Sequence, residues 1–294
     1  EHNIHGLDID QRAYQLAYFA VMMKGRGYNR RFLRGRDGKP EPKVYAIAES
    51  NEINRNHLKF FGAHLSDMER NLAVMQIEGL LDTFIDAREY GSILSVDVCD
   101  WDVLEKFTED LGTAGQISFE SVGSEETQES LRKLVRVAKN LGQKYDVVVT
   151  NPPYMGASGM GVKLSKYVKD NYLDSKSDLF AVFIEKCGQM AKKNAYQAMI
   201  TQHAWMFLSG FIKLREKLQN VDIINMLHLG PHAFEEISGE IVQTTSFIMK
   251  KMDVTNYFGI YVRLITANSQ DAKEKLYLSG DSRFSVSKDT FTII

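Results

Sequence analysis

The sequence predicts an α/β fold built on an open, doubly wound sheet. Apolar segments of strand length alternate with segments of helical periodicity along most of the 294 residues. The most continuous strand, Tyr145–Thr150 (YDVVVT), is β-branched, which is typical of a parallel strand buried on both faces. The last two predicted strands are close enough in sequence to pair as an antiparallel edge.

The elements follow one another from the first residues onward. Segment 3–10 reads as a short strand ending in acidic residues, and the helix after it carries Ala13, Leu16, Ala17, Ala20 and Met23 on one apolar face. The later elements are predicted as strand 43–50, helix 65–88, weak strand 92–96, helix 125–141, strand 145–150, helix 178–193 capped by Asp178, strand 196–202, helix 209–218, and strands 221–229 and 241–250.

Segment 24–43 differs in composition from its surroundings. It is rich in Gly, Pro and charge, and it holds eight basic residues interleaved with Tyr28 and Phe32. Contact with phosphates and a solvated insertion fit this composition equally well.

Bulk composition excludes several classes of protein. The formal charge of −2 gives no overall attraction to nucleic acid or membrane, and no apolar run has the length of a membrane span. Cys99 and Cys187 lack CxxC spacing, so we expect both in the core and neither a zinc site nor a disulfide. These features predict a soluble protein of the reducing cytoplasm.

Other chemistries find little support in the sequence. His228 and His232 could be considered as metal ligands, but no carboxylate or cysteine has ligand spacing beside them, so a loop is the preferred interpretation and no metal is expected. The sequence has neither a GxxxxGK[ST] phosphate loop nor a convincing nuclease carboxylate cluster.

The four residues after the Tyr145–Thr150 strand carry the strongest functional signal. Ligand sites of open α/β sheets lie beyond the carboxyl ends of strands, and Asn151 stands at such an end. Pro152 and Pro153 stiffen the chain and lack amide donors, which leaves their carbonyl oxygens free. With the Asn151 side chain as a further acceptor and Tyr154 as a stacking ring, the segment suits a planar group that carries an NH2. The alternative is a proline turn with Tyr154 packed at its rim.

This Asn-Pro-Pro-Tyr segment resembles the catalytic motif of amino methyltransferases that use S-adenosylmethionine, most often the N6-adenine DNA methyltransferases. The resemblance implies that Asn151 and the Pro152 carbonyl accept hydrogen bonds from the adenine N6 amino group. It also implies that Tyr154 stacks on an adenine flipped out of double-stranded DNA.

The segment GLDID resembles the cofactor segment of the same enzymes. There an acidic residue holds the ribose hydroxyls and the next apolar residue covers the cofactor adenine, and Asp8 and Ile9 occupy these positions. Asp10 is predicted to cap the following helix. For a third acidic position we expect Glu49, with Asp97 as the second choice. The alternative is that these acids only cap helices or face solvent.

The segment AWMFLSGFIKLREKL resembles the stretch after the fifth strand of adenine-specific enzymes. An aromatic residue there sandwiches the flipped adenine opposite the tyrosine, and Phe211 holds that place. A core phenylalanine at the start of a helix is an equally good interpretation.

GLDIDQRAYQLAYFAVMMK, NPPYMG and EEISGEIVQTTSFIM, in this order, resemble the large adenine-specific methyltransferases of BREX phage defence and related type II restriction-modification fusions. The family's Gly-rich cofactor loop and first strand are missing before segment 3–7. We therefore expect residues 1–294 to be a partial catalytic domain with a helical insertion at about 52–143, lacking that strand and the target-recognition domain. Such a fragment is expected to bind cofactor weakly or not at all unless the missing part is supplied separately, and to be inactive alone.

The function implied is site-specific transfer of a methyl group from S-adenosylmethionine to adenine N6. Other subunits of a defence system are possible partners. The same motif also serves methyltransferases that act on rRNA or on glutamine side chains, and a non-catalytic scaffold piece of a defence complex is a further alternative.

Overall fold

The computed structural model describes residues 3–34, 41–109, 122–234 and 242–293. The chain divides into two compact units, Glu1–Gln143 and Lys144–Ile294.

The first unit is mainly helical. Its strands β1 (His5–Asp8) and β2 (Lys43–Ala46) pair in parallel, with His5 opposite Lys43 and Asp8 opposite Ala46. Its helices are α1 (Gln11–Tyr28), α2 (Asp67–Thr83), α3 (Ala87–Tyr90), α4 (Trp101–Glu109) and α5 (Ser124–Gly142). Buried side chains of the segments around α2, α4 and α5 form the core, including Phe61, Ile77, Phe84, Phe107 and Leu134.

Local sequence explains where the helices of this unit begin. Asp10 accepts hydrogen bonds from the amides of Arg12 and Ala13, which confirms the predicted cap of α1. Ser66 and Glu69 form a capping box at the start of α2. The predicted apolar face of α1 is exposed, since Met22 is the one buried residue of the helix among those the structure describes.

The second unit holds a six-stranded mixed sheet in the order β3-β4-β6-β5-β7-β8. The strands are β3 (Tyr145–Thr150), β4 (Ala191–Gln202), β5 (Asp222–Gly230), β6 (Thr244–Lys250), β7 (Phe258–Arg263) and β8 (Arg283–Ser287). The β3–β4 and β5–β7 pairs are parallel, and the other pairs are antiparallel. The helices are α6 (Val162–Asn171), α7 (Leu179–Met190), α8 (Ile212–Leu218) and α9 (Gln270–Ser279).

The α/β class and the antiparallel pairing predicted from the sequence are confirmed. However, β6 lies inside the sheet between β4 and β5, and the antiparallel edge strand is β8, which the sequence analysis did not identify. The predicted strand at 92–96 is wrong: Gly91–Ile93 is a 3₁₀ turn, and Ile93 and Leu94 are buried consecutively rather than in alternation.

The expected burial of β3 on both faces is also wrong. In the described part of the chain β3 pairs only with β4. Val148 packs against the core, whereas Val147 and Val149 on the other face are 55% and 70% exposed. The valines of β3 therefore indicate β-strand propensity and not burial of both faces.

The core of the second unit packs α7 against β4 and β6. Its buried side chains include Phe180, Cys187, Met199, Phe247 and Met249. Cys187 is a core residue as predicted, but Cys99 in the first unit is only half-buried. Across the described ranges, no helix is both long and apolar enough to cross a membrane. Residues 35–40 of the basic segment and residue 241 of the predicted last strand lie outside the described residues.

Candidate active site

The segment Asn151–Tyr154 leaves the sheet at the carboxyl end of β3. The last register pair of β3 and β4 is Thr150 with Met199, so Asn151 is the first residue beyond the ladder. Asn151 and Pro153 are exposed, and Pro152 is buried. Among the described residues no hydrogen bond reaches the Asn151 side chain, so its amide oxygen is available as an acceptor.

Tyr154 is half-buried at the edge of the core. Its hydroxyl lies 3.5 Å from the Ile200 carbonyl oxygen of β4, and its ring meets Phe180 edge-on with the centroids 6.2 Å apart. Burial raises the pKa of Tyr154 to about 12, so the phenol is neutral at physiological pH. One side of the ring is thus fixed by protein contacts.

Asp178 ties the proline segment to α7. Its Oδ1 atom accepts hydrogen bonds from the amides of Met155 at 3.1 Å and Phe180 at 3.2 Å, which confirms the predicted cap. The Leu179 amide donates back to the Met155 carbonyl at 2.9 Å. The start of α7 therefore holds the chain immediately after Tyr154, and burial raises the pKa of Asp178.

Phe211 lies within the core of the same unit. It is 5% exposed and packs against Phe180 with centroids 5.6 Å apart. We call Tyr154, Phe180 and Phe211 the inner aromatic cluster. Tyr154 and Phe211 therefore contact the same intervening ring, and the stacking of Phe211 on a base stays a prediction. The sequence analysis assigned Phe180 no role beyond its place in the predicted helix 178–193.

A second group of rings lies where the chain leaves β4 and near the end of β5. His203 and His228 share a hydrogen bond of 2.8 Å, and Phe207 contacts both, with centroid distances of 5.5 Å and 5.8 Å. We call these three residues the outer aromatic cluster. Burial lowers the pKa of His203, and burial together with His203 lowers that of His228 to about 4. No group of His, Cys, Asp and Glu within the described ranges could hold a metal ion.

The segment between β4 and α8 is held by hydrogen bonds to its backbone. Arg215 of α8 donates to the carbonyls of Trp205 at 2.9 Å and Leu208 at 2.8 Å. The Trp205 indole donates to the Thr201 hydroxyl at 3.1 Å. Phe207 is therefore carried on a braced turn.

The predicted cofactor residues belong to the first unit. Asp8 ends β1, and its Oδ1 atom accepts a hydrogen bond from the Asp10 amide at 2.8 Å. The amides of Ala13 and Arg12 lower the pKa of Asp10, which fixes that carboxylate as the helix cap. Of the two carboxylates, Asp10 is used to cap α1, so Asp8 is the one that can accept hydrogen bonds from a ligand.

Ile9 and Glu49 lie at the carboxyl ends of β1 and β2. Ile9 is 55% exposed beside Gly91, whose φ is +60° and where a Cβ would be 2.7 Å from the Ile9 Cγ2 atom. Only glycine leaves Ile9 in this place without strain. Glu49 accepts a hydrogen bond from the Arg88 amide at 3.2 Å, and its other oxygen is 3.6 Å from the Arg88 guanidinium.

These residues fit the adenosine half of S-adenosylmethionine. Asp8 offers a carboxylate for a vicinal diol, and the exposed Ile9 side chain offers an apolar surface for a purine. Asp97, the second choice for the third acidic position, lies in an irregular segment before α4. We identify no described residues that would hold the methionine end.

This α/β chain places a neutral amide oxygen and two prolines without amide donors at the end of a parallel strand, with a tyrosine directly after them. Such an arrangement suits a planar group that carries an amino group. Residues 2–234 match the Eco57I restriction-modification methylase family. The chain belongs to that family.

Two curated relatives are similar over nearly the whole chain. The adenine-specific methyltransferase PglX of Lacticaseibacillus casei (strain Zhang) is 41% identical over 281 residues, which are 95% of this chain and 22% of that protein. The adenine-specific methyltransferase BrxX of Escherichia coli O9:H4 (strain HS) is 34% identical over 94% of this chain and 24% of its own length. The chain thus spans less than a quarter of either relative.

Solved structures resemble the chain only distantly. The type ISP restriction-modification enzyme LlaGI, solved in complex with a DNA substrate mimic, aligns with 98% of this chain and 27% of its own at 14% identity and a TM-score of 0.42. DrdV, solved in complex with DNA, aligns with 98% of this chain and 27% of its own at 11% identity and a TM-score of 0.41.

Proposed function

We propose that the chain is part of the catalytic region of a site-specific DNA methyltransferase that transfers a methyl group from S-adenosylmethionine to adenine N6. The observation that carries this proposal is the unengaged Asn151 amide at the end of β3, followed by two prolines and the half-buried Tyr154. Family membership and the names of both curated relatives support it. The setting we propose is a phage-defence or restriction-modification system.

The acceptor segment makes the adenine amino group nucleophilic. Asn151 Oδ1 and the Pro152 carbonyl each accept a hydrogen bond from the N6 amino group. These bonds draw the nitrogen toward tetrahedral geometry and localise its lone pair. S-adenosylmethionine, when bound, supplies a methyl carbon attached to a positively charged sulfur. The N6 lone pair positioned by these acceptors would receive that methyl group, and the electron pair of the S–C bond would remain on sulfur. N6 then releases one proton to solvent.

Aromatic side chains hold the flipped base. Tyr154 stacks on one face of the adenine, and its fixed edge on Phe180 sets the ring plane. Phe211 covers the opposite face. Because Phe211 is buried in the present conformation, this role requires the α8 end of the inner cluster to open when DNA binds.

The first unit contributes the cofactor contacts. Asp8 accepts from the ribose hydroxyls, and Ile9 packs on the cofactor adenine. Glu49 accepts from the adenine amino group with the oxygen that lies 3.6 Å from the Arg88 guanidinium, while its other oxygen keeps the hydrogen bond from the Arg88 amide. We further propose that residues 52–143 are a helical insertion in the methyltransferase domain, and that other defence-system subunits act with the complete protein.

The test is methyl transfer by the full-length protein and its Asn151→Ala variant. Nucleosides of the treated DNA are analysed by mass spectrometry, and we expect N6-methyladenine from the wild type and a loss of about a hundredfold or more in rate for Asn151→Ala. Because Asn151 is exposed, the variant should keep the wild-type Tm.

Asn220→Ala is the matched control. Asn220 is also exposed, but it lies before the amino end of β5, whereas Asn151 lies at the carboxyl end of a strand. This variant should therefore methylate normally. Methylated glutamine or rRNA in place of N6-methyladenine would support the related methyltransferase classes. No methylated product from the full-length wild type would support the scaffold.

A further inference from the structure

The outer aromatic cluster holds an apolar ring on the surface. Phe207 is 59% exposed, and Leu208, the next residue in the chain, is 57% exposed. Its ring contacts among the described residues are with His203 and His228, whereas Tyr154 and Phe211 share Phe180. The two clusters are therefore separate groups of rings within one unit.

Tyr154 of the inner cluster and His203 of the outer cluster follow the carboxyl ends of the neighbouring strands β3 and β4. The Tyr154 hydroxyl approaches the carbonyl of Ile200, and His203 follows only three residues later, directly after β4 ends. The outer cluster is completed by His228 near the carboxyl end of β5. Because β3 and β4 are parallel neighbours, Asn151 after β3 and the turn that carries Phe207 after β4 leave the sheet at the same edge.

The exposed ring is held in position. The Phe207 amide donates to the Ala204 carbonyl at 3.2 Å, and Arg215 fixes the carbonyls on either side of the turn. The ring meets His203 at 81°, and more than half of the Phe207 side chain stays exposed. Since both imidazoles have lowered pKa values, the cluster is uncharged at neutral pH. A fixed, neutral, exposed aromatic surface suits stacking on another flat ring.

We propose that Phe207 stacks on a second nucleobase of the DNA substrate, a neighbour of the flipped adenine. This inference rests on the proposed function. An adenine that leaves the duplex takes stacking away from its neighbours, and an aromatic side chain restores part of that stacking. The outer cluster is thereby a subsite for a base that is not methylated.

The test compares Phe207→Leu and Phe207→Trp in the full-length protein. The probe is a duplex oligonucleotide whose methylated position has been mapped by sequencing DNA modified by the wild type. Leucine keeps an apolar side chain but has no aromatic face, so we expect kcat/KM for the duplex to fall about tenfold to a hundredfold. Tryptophan should restore it, and KM for S-adenosylmethionine should not change.

Phe258→Leu is the matched control. Phe258 has the same 59% exposure but begins β7, at the amino end of that strand. Both leucine variants should have similar Tm values, and only Phe207→Leu should lose activity. A rescue by Trp is not expected from a purely structural role.

Three outcomes would overturn the inference. If Phe207→Leu methylates like the wild type while Asn151→Ala is inactive, the proposed function stands and the second subsite does not. If Phe207→Leu lowers Tm well below the Phe258 variant and Trp does not restore activity, Phe207 is a packing residue. If the wild type forms no N6-methyladenine, the proposed function fails and this subsite fails with it.

Discussion

Replacing Phe211 by alanine separates a core role from a base-stacking role. Phe211 is 5% exposed, so nearly its whole side chain is removed from water. A phenylalanine that buries about 150 Å² at about 25 cal/mol per Å² contributes about 4 kcal/mol, and measured Phe→Ala changes in cores span about 3–5 kcal/mol. Phe207, at 59% exposure, keeps only about two fifths of such an area buried, so Phe207→Ala should cost no more than about 2 kcal/mol.

The measurement is urea unfolding of the 294-residue chain. The sequence contains two tryptophans, Trp101 in the first unit and Trp205 in the second, and Trp205 belongs to the same core as Phe211. In a Trp101→Phe background, fluorescence therefore reports on the second unit. We expect Phe211→Ala to lower the free energy of unfolding by about 3–5 kcal/mol with little change in m.

A small effect would refute the reasoning. If Phe211→Ala costs under about 1 kcal/mol and yet abolishes N6 methylation in the full-length protein, the ring is not held in the core. The stacking role predicted from the sequence would then account for Phe211 without the opening step proposed above.

Two further predictions concern titration and capping. The pKa of His228 is about 4 in the folded chain and 6.5 in an unperturbed histidine, so the unfolded state binds a proton first as the pH falls, and stability decreases between about pH 6.5 and 4. Urea unfolding at pH 7 and pH 5 measures this loss, and His228→Asn should reduce it by about 1–2 kcal/mol. Equal losses in the variant and the wild type would contradict the prediction. Asp178→Ala removes the acceptor of the Met155 and Phe180 amides and should lower the free energy of unfolding by about 1–3 kcal/mol in the same assay. Asp178→Asn keeps an acceptor and should recover most of that stability. If it does not, Asp178 is not acting as a cap.

Features that depend on a few neighbouring residues could be predicted from the sequence. The bounds of β3 agree with the prediction, and Asp10 and Asp178 cap the helices they were expected to cap. A strand propensity and a cap are both decided within about four residues, so a single sequence contains the information. The position of Asn151 at the carboxyl end of β3 follows from the same short range.

Features that depend on distant residues could not be predicted. The valines of β3 would be the same on a strand with one or with two covered faces, and the folded unit covers the face of Val148 but not the face of Val147 and Val149. Strand β7 was missed because its first and third residues, Phe258 and Ile260, are exposed apolar side chains that obscure the expected alternation.

The site shows the same division. Asn151, Pro152 and Tyr154 are adjacent in sequence, so their pattern identifies them together. His203 directly follows β4, and His228 lies 25 residues later on β5, which β6 separates from β4, so their hydrogen bond is visible only in the folded unit. Phe207 lies within the segment AWMFLSGFIKLREKL, but the resemblance of that segment pointed to Phe211, and no motif pointed to His203.

The two aromatic clusters differ in exposure: Phe211 of the inner cluster is buried, whereas Phe207 of the outer cluster is exposed. An exposed Phe207 forgoes about 90 Å² of apolar burial, which corresponds to about 2 kcal/mol of stability at about 25 cal/mol per Å². Arg215 fixes the backbone of the turn, and the two histidines contact the ring where it is exposed. The second base that we propose beside the Asn151 site would cover this ring and recover the burial that it lacks in the free chain.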